Sequence, residues 1–249
     1  MLHERDLLRS ARQLIFIEKD GEFPEFPMYL SGSGLLVTIN GVIAIITARH
    51  CLINEINRQG RMGKRILATL RQVGVQNKYA MFKNLYYVHD IDSSANLIGG
   101  ECDLAVGISD DSDNITTDDA IPVFSHQGSL FDNFNGIGQE YVAYGFPEIS
   151  GSLLIDKTIL HNPVTITLKF NSQDGINVKC DIIEIIDLLN RSYPITSALA
   201  GMSGGPVFRK DRTNGTMKFS GIVVMGSNAI IRFLPSSHII RFIKSACLK

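Results

Sequence analysis

Three glycines and a proline fall within six residues at Gly201-Met202-Ser203-Gly204-Gly205-Pro206, ahead of Val207. Such a run reads as a tight turn, because residues without a Cβ reach φ > 0 and let another group come close to the main chain. The turn would set a serine hydroxyl beside free backbone N–H groups, which makes Ser203 the first candidate nucleophile. The N–H groups of Gly201 and Ser203, directed into one pocket, would stabilise the oxyanion of a tetrahedral intermediate. A Ser-Gly-Gly-Pro run is also an ordinary loop signal, so the rest of the chain has to decide.

Two other segments bear on it. Thr47-Ala48-Arg49-His50-Cys51 follows the apolar run from Gly41 to Ile46, which reads as a buried strand, so His50 falls where that strand ends. Cys102-Asp103-Leu104-Ala105-Val106-Gly107 sets a lone carboxylate at the mouth of another short apolar strand. A serine is a weak nucleophile until a histidine takes its proton, and that imidazole needs a carboxylate to fix its tautomer and stabilise its charged form. Taken singly, His50 is a strand-end histidine with a satisfied hydrogen bond, Asp103 a turn residue or cap, and Ser203 a loop residue.

Together, in this order and spacing, the three segments resemble the histidine, aspartate and serine motifs of trypsin-like (chymotrypsin-fold) serine peptidases. Further similarity points to the bacterial HtrA-type branch and its single-domain relatives without a PDZ domain. It is carried by Gly32-Ser33-Gly34-Leu35-Leu36-Val37, by Tyr141 to Pro147, by Phe219 to Gly226, and by Arg232-Phe233-Leu234-Pro235-Ser236. The resemblance implies an all-β fold of two six-stranded antiparallel Greek-key barrels with a C-terminal helix, in one peptidase domain spanning 1–249. The first barrel would cover about 11–115, an acidic linker about 109–128, the second barrel about 130–235 and the helix about 236–247. His50 and Asp103 would come from the first barrel and Ser203 from the second.

The residues themselves supply coarse elements. Glu4 to Gln13 reads as a short helix or arm, and Leu14 to Ile17 as the first strand. Asn40-Gly41, between two apolar runs, is a strong two-residue hairpin signal. Asp181 to Asn190 alternates poorly as a strand and has helical apolar spacing, so its assignment stays open. Ser236 or Ser237 would cap the last helix, with Ile239, Ile240 and Ile243 on its buried face. The acidic stretch from Ser109 to Asp119 lacks the glycine and distal glutamate of a calcium loop and reads as an exposed linker.

Composition narrows the partners. A net charge of −1 argues against nucleic acid, which demands concentrated Lys and Arg. The basic cluster from Arg58 to Arg71 has no matching aromatic set and reads as a solvated loop or strand face. Cys51, Cys102, Cys180 and Cys247 are scattered, with neither zinc-ligand spacing nor a dense disulfide framework, which suits a reducing compartment. The start of the chain lacks a signal-peptide core, and no stretch approaches the roughly 18 to 20 apolar residues of a membrane span. The expectation is a cytoplasmic protein without membrane insertion, metal or cofactor.

The resemblance also assigns finer roles, and departs in places. Digestive trypsin-like enzymes carry an acidic residue just before the serine that pairs with a newly cut N-terminus; here that residue is Met202, so the site is expected either preformed or ordered by some other trigger. The cysteine after the histidine normally pairs one strand earlier, where this chain has none, so Cys51 is expected as a free, buried thiol. By similarity Ser197 forms the base of the primary specificity pocket and Gly226 an open wall, with Val224, Met225 and Gly226 on the strand that receives substrate. A small neutral base favours cleavage after a medium or large apolar residue.

The implied activity is a serine endopeptidase: Ser203 attacks, His50 acts as base and then acid, Asp103 orients it, and activity falls in acid near the reference histidine pKa of roughly 6.5. Its partner would be a protein or peptide substrate, with a homo-oligomer expected from the trimers common among HtrA-type relatives. The alternative is a catalytically silent or partner-activated module in protein interaction, stress or defence signalling.

Overall fold

In the computed structural model the described residues are 10–18, 28–52, 65–71, 78–87, 103–109, 120–122, 139–147, 152–155, 158–210, 216–227 and 229–246. The interior of the acidic stretch, Cys102, Cys247 and most of the N-terminal arm lie outside them, as does the basic cluster before Arg65.

Asn40 and Gly41 adopt φ of 51° and 82°. Two successive positive φ values match the twist of a two-residue hairpin, and they join β2 (Met28–Ile39) to β3 (Val42–Thr47) in register from Ile39–Val42 to Leu35–Ile46. These strands belong to a seven-stranded sheet with β1 (Ala11–Glu18), β4 (Arg65–Arg71), β5 (Lys78–Tyr87), β6 (Ala105–Ser109) and the short β7 (Ile121–Pro122). The spatial order is β1-β4-β5-β6-β3-β2-β7, and β1 pairs with β2 as well as with β4. All these pairings are antiparallel except β2 with β7.

The second half holds β8 (Glu140–Gly145), β11 (Val164–Asp174), β12 (Asn177–Asp187), β13 (Pro206–Lys210), β14 (Met217–Ser227) and β15 (Ile230–Pro235). These six close into an antiparallel barrel in the order β11-β12-β15-β14-β13-β8, sealed by the β11–β8 pairing. A separate hairpin pairs β9 (Ser152–Ile155) with β10 (Thr158–His161). The chain ends its described part in α1 (Ser236–Ala246).

The segment left open by periodicity is a strand. Pairing with β11 passes from Thr167–Glu184 to Leu168–Ile182, so Ile183 bulges out of the ladder. A bulge inserts one residue and shifts the alternation by one; Ile182 and Ile185 are buried while Ile183 and Glu184 face out. That three-residue step is what imitated a helix. In α1 the buried face is Ile239, Phe242 and Ile243, while Ile240 is only half-buried.

One core cluster joins the halves. Leu35, Val37, Ile46 and Val106 of the first sheet share it with Phe208, Phe219 and Ile222 of the barrel and with Ile239, Phe242 and Ile243 of α1. A second cluster fills the barrel around Tyr141, Ile166, Val178 and Phe233. Among the described residues no helix is long and apolar enough to cross a membrane.

Candidate functional site

β3 ends at Thr47, and residues 49–52 begin a helical turn that carries His50. β6 lies next to β3, with Thr47 opposite Ala105, which brings the segment just before β6 alongside that turn. Asp103 accordingly meets His50 twice. Its Oδ1 accepts the His50 backbone N–H at 2.8 Å, and its Oδ2 is hydrogen-bonded to ring Nδ1. The backbone bond fixes where the carboxylate sits, so the ring bond comes prealigned and leaves Nε2 on the side of the ring away from the carboxylate.

The electrostatics follow. The hydrogen bond from Asp103 holds the proton on His50, the Cys51 thiol adds to it, and burial acts in the opposite sense; the imidazole is pushed up to about 10. The direction departs from the expectation of titration near the reference value, because a half-exposed ring clamped by a carboxylate is not a free imidazole.

Ser203 lies in a turn whose main chain is fixed from several directions. Met202 N–H donates to Leu199 O at 3.0 Å, Gly204 N–H to Val223 O at 2.7 Å, and Gly205 N–H to Met202 O at 2.9 Å. Gly201 and Gly204 take φ of 95° and 83°, which only glycine adopts at ease. Among the described residues the N–H groups of Gly201 and Ser203 donate to no carbonyl. The two donors expected at an oxyanion are thus the ones the turn leaves unused.

The first sheet holds this turn in place. Ser33 N–H donates to Ser203 O at 2.8 Å, Ser33 Oγ donates to Gly201 O at 2.6 Å, and the same Oγ accepts Phe146 N–H at 3.0 Å. The Cys51 thiol donates to Ser203 O at 3.5 Å and lies 3.9 Å from His50 Nε2. Cys51 is free and buried, as expected. No hydrogen bond joins Ser203 Oγ to His50 Nε2 among the described residues. Bonds of this kind are often open in a free enzyme and close around substrate.

The expected specificity residues flank the turn. Ser197, half-buried, donates its N–H to Pro194 O at 2.9 Å. On β14, Val224 bulges between the Val223–Phe233 and Met225–Arg232 pairs, Met225 is exposed, and Gly226 is half-buried. A Cβ placed on Gly226 would lie 3.2 Å from Leu199 Cδ1, so the two residues are packed together. Ahead of this segment, buried Asp187 accepts the N–H groups of Leu189 and Arg191 at 2.9 Å each, Arg191 Nε at 2.6 Å and the Tyr193 hydroxyl at 2.9 Å. Burial drives this carboxyl up, but the bonds from Arg191, Tyr193 and Leu189 together outweigh it and hold it at about 2.

The sequence singles out His50, Asp103, Ser203 and Gly201, which the structure brings to one junction, and gives no place to Ser33, which holds the Ser203 turn. Ser33 stood inside a recognised strand segment, and its position before Gly34 was the available signal. In comparison with known proteins, the chain matches no protein-family model and no curated protein.

Proposed function

We propose that the chain is a trypsin-like serine endopeptidase with two six-stranded barrels, hydrolysing protein or peptide substrates after an apolar residue. The observation that carries this reading is the pairing of a doubly held Asp103–His50 couple with a Ser203 turn whose Gly201 and Ser203 N–H groups are unused. The β1–β2 pairing, which links the strands at the two ends of the run β1-β4-β5-β6-β3-β2, supports a first barrel beside the closed second one.

Ser203 Oγ attacks the scissile carbonyl while His50 Nε2 takes its proton. The imidazolium, stabilised by Asp103, then gives that proton to the leaving amine, and the two N–H groups hold the oxyanion. A water molecule, deprotonated by His50, attacks the acyl carbon, and His50 returns that proton to Ser203 Oγ as the ester bond breaks. The chemistry rests on side chains and main chain of this protein, with residues Val224 to Gly226 offering a strand edge to the substrate backbone.

The test is labelling of the purified chain by a fluorophosphonate probe beside Ser203→Ala and His50→Ala. Labelling of the wild type that vanishes in both variants is the expected result. Wild-type protein that stays unlabelled from neutral to alkaline pH would refute a constitutive peptidase.

One observation favours a second reading, a partner-activated peptidase. A His50 pushed up to about 10 carries its proton at neutral pH, and Ser203 Oγ has no bond to it. A partner that drew Ser203 onto Nε2 and favoured the neutral ring would remove both obstacles. Labelling at neutral pH that requires added cytoplasmic extract would select this reading.

A further inference from the structure

Residues 194–200 lead into the Ser203 turn without joining a strand. Among the described residues the main-chain bonds of this stretch are local, Ser197 N–H donating to Pro194 O at 2.9 Å and Met202 N–H to Leu199 O at 3.0 Å. Such a stretch is located by its two ends and by the side chains it packs. Its far end is held by Ser33, through Gly201 O and Ser203 O. The near end needs a holder of its own.

That holder is built where the chain doubles back on β12. Asp187 N–H donates to Arg191 O at 3.1 Å, Ile186 and Ser192 form an antiparallel bridge, and Tyr193 N–H donates to Ile185 O at 3.0 Å. At the tip Asn190 takes φ of 59°. The whole return closes around one carboxylate that is only 4% exposed. Asp187 Oδ1 accepts the N–H groups of Leu189 and Arg191, and Oδ2 accepts Arg191 Nε and the Tyr193 hydroxyl. A carboxylate is costly to bury unless it is hydrogen-bonded, and here every one of these bonds goes to the returning chain. The last of them reaches toward Ser203: Tyr193, fixed by its N–H at one end and by its hydroxyl at the other, packs against the cluster that contains Leu199 and Met202.

We infer that Asp187, acting through Tyr193, is a positioning residue that fixes the near end of the Ser203 turn; this rests on the peptidase reading above. Ser33 and Asp187 then hold the turn from opposite ends, one from the first sheet and one from the barrel. Asp187 touches none of the reacting atoms, and its effect on Ser203 passes through the Tyr193 ring and the side chains of Leu199 and Met202.

The experiment uses the full chain and the rate of fluorophosphonate labelling of Ser203 at alkaline pH without urea, with the NMR titration of His50 beside it. Asp187→Asn should slow labelling by at least about tenfold, within the roughly hundredfold that a displacement of about 1 Å costs. Tyr193→Phe, which keeps the ring and removes only the hydroxyl, should slow it less. The double variant should label no more slowly than Asp187→Asn alone, because both changes break one bond. The His50 midpoint should stay at its wild-type value in all three, which separates a displaced Ser203 from a general disturbance. Wild-type labelling rates in folded Asp187→Asn and Tyr193→Phe would overturn the inference, and so would losses that multiply in the double variant or a His50 midpoint that moves with them. Should Asp187→Asn fail to fold, a wild-type rate in Tyr193→Phe alone would overturn it. Absence of all wild-type labelling at alkaline pH would instead overturn the peptidase reading, and the inference with it.

Discussion

His50 has one carboxylate on both its backbone N–H and its ring, and that arrangement sets the sign of its pH response. Its pKa rises from the ordinary 6.5 to about 10, through the Asp103 hydrogen bond first and the Cys51 thiol second. A group raised on folding stabilises the native state while protonated, so this contribution is full below about 6.5 and is lost as pH climbs through about 10. The proposed catalysis needs the opposite form, because only the neutral ring can take the Ser203 proton. The rate of Ser203 labelling should therefore keep rising well above neutral pH, and Asp103→Asn should move the His50 titration down toward 6.5 while slowing labelling. NMR titration of the His50 ring protons checks it. An identical midpoint in wild type and Asp103→Asn would show that the carboxylate does not control the ring.

The two glycine turns separate backbone strain from crowding. Gly41 has φ 82° with nothing within 4 Å of a Cβ placed on it. At Gly204, φ is 83°, but a Cβ would run into the Ser33 carbonyl oxygen and Thr47 Oγ1, and that hydroxyl already donates to Ser33 O at 2.8 Å. Gly41→Ala should cost about 1 to 2 kcal/mol, the penalty of the left-handed region alone. Gly204→Ala should cost clearly more than Gly41→Ala, since the first sheet must yield as well, and should also weaken labelling of Ser203. Urea midpoints of the two variants decide it, and equal losses would mean that the turn does not press on Ser33. These turns were legible in the sequence because Asn40-Gly41 and the Gly201 to Pro206 run need backbone shapes that few residues supply. The β12 strand was not, because the Ile183 bulge breaks the alternation on which a strand is recognised. The contact of Leu199 with Gly226 was not legible either, because it is created only when the segment folds against β14.

The halves of the molecule are joined at two levels, by the three hydrogen bonds of Ser33 and by an apolar core to which both halves and α1 contribute. Neither half closes that core alone. Leu35, Val37 and Ile46 would lose the cover of Phe208, Ile222 and Phe242, and burial at about 25 cal/mol per Å2 is the main term holding such elements together. The same junction places Ser203 against the helical turn of His50 and Cys51, so stability of the whole and integrity of the site depend on one contact surface. Unfolding should then be a single cooperative event. The chain reports on this itself: it has no tryptophan, but it has a buried free cysteine in each half, Cys51 at 5% exposure and Cys180 at 0%. With a thiol-modifying reagent and peptide-level mass spectrometry, Cys51 and Cys180 should become reactive over the same range of urea. Ser33→Ala should shift both curves together to lower urea, by the roughly 1 to 3 kcal/mol that follows when a buried hydrogen-bonding group loses its partner. If Cys51 became reactive at a lower urea concentration than Cys180, the first sheet would be opening by itself, and His50 would part from Ser203 before the barrel that carries Ser203 had unfolded.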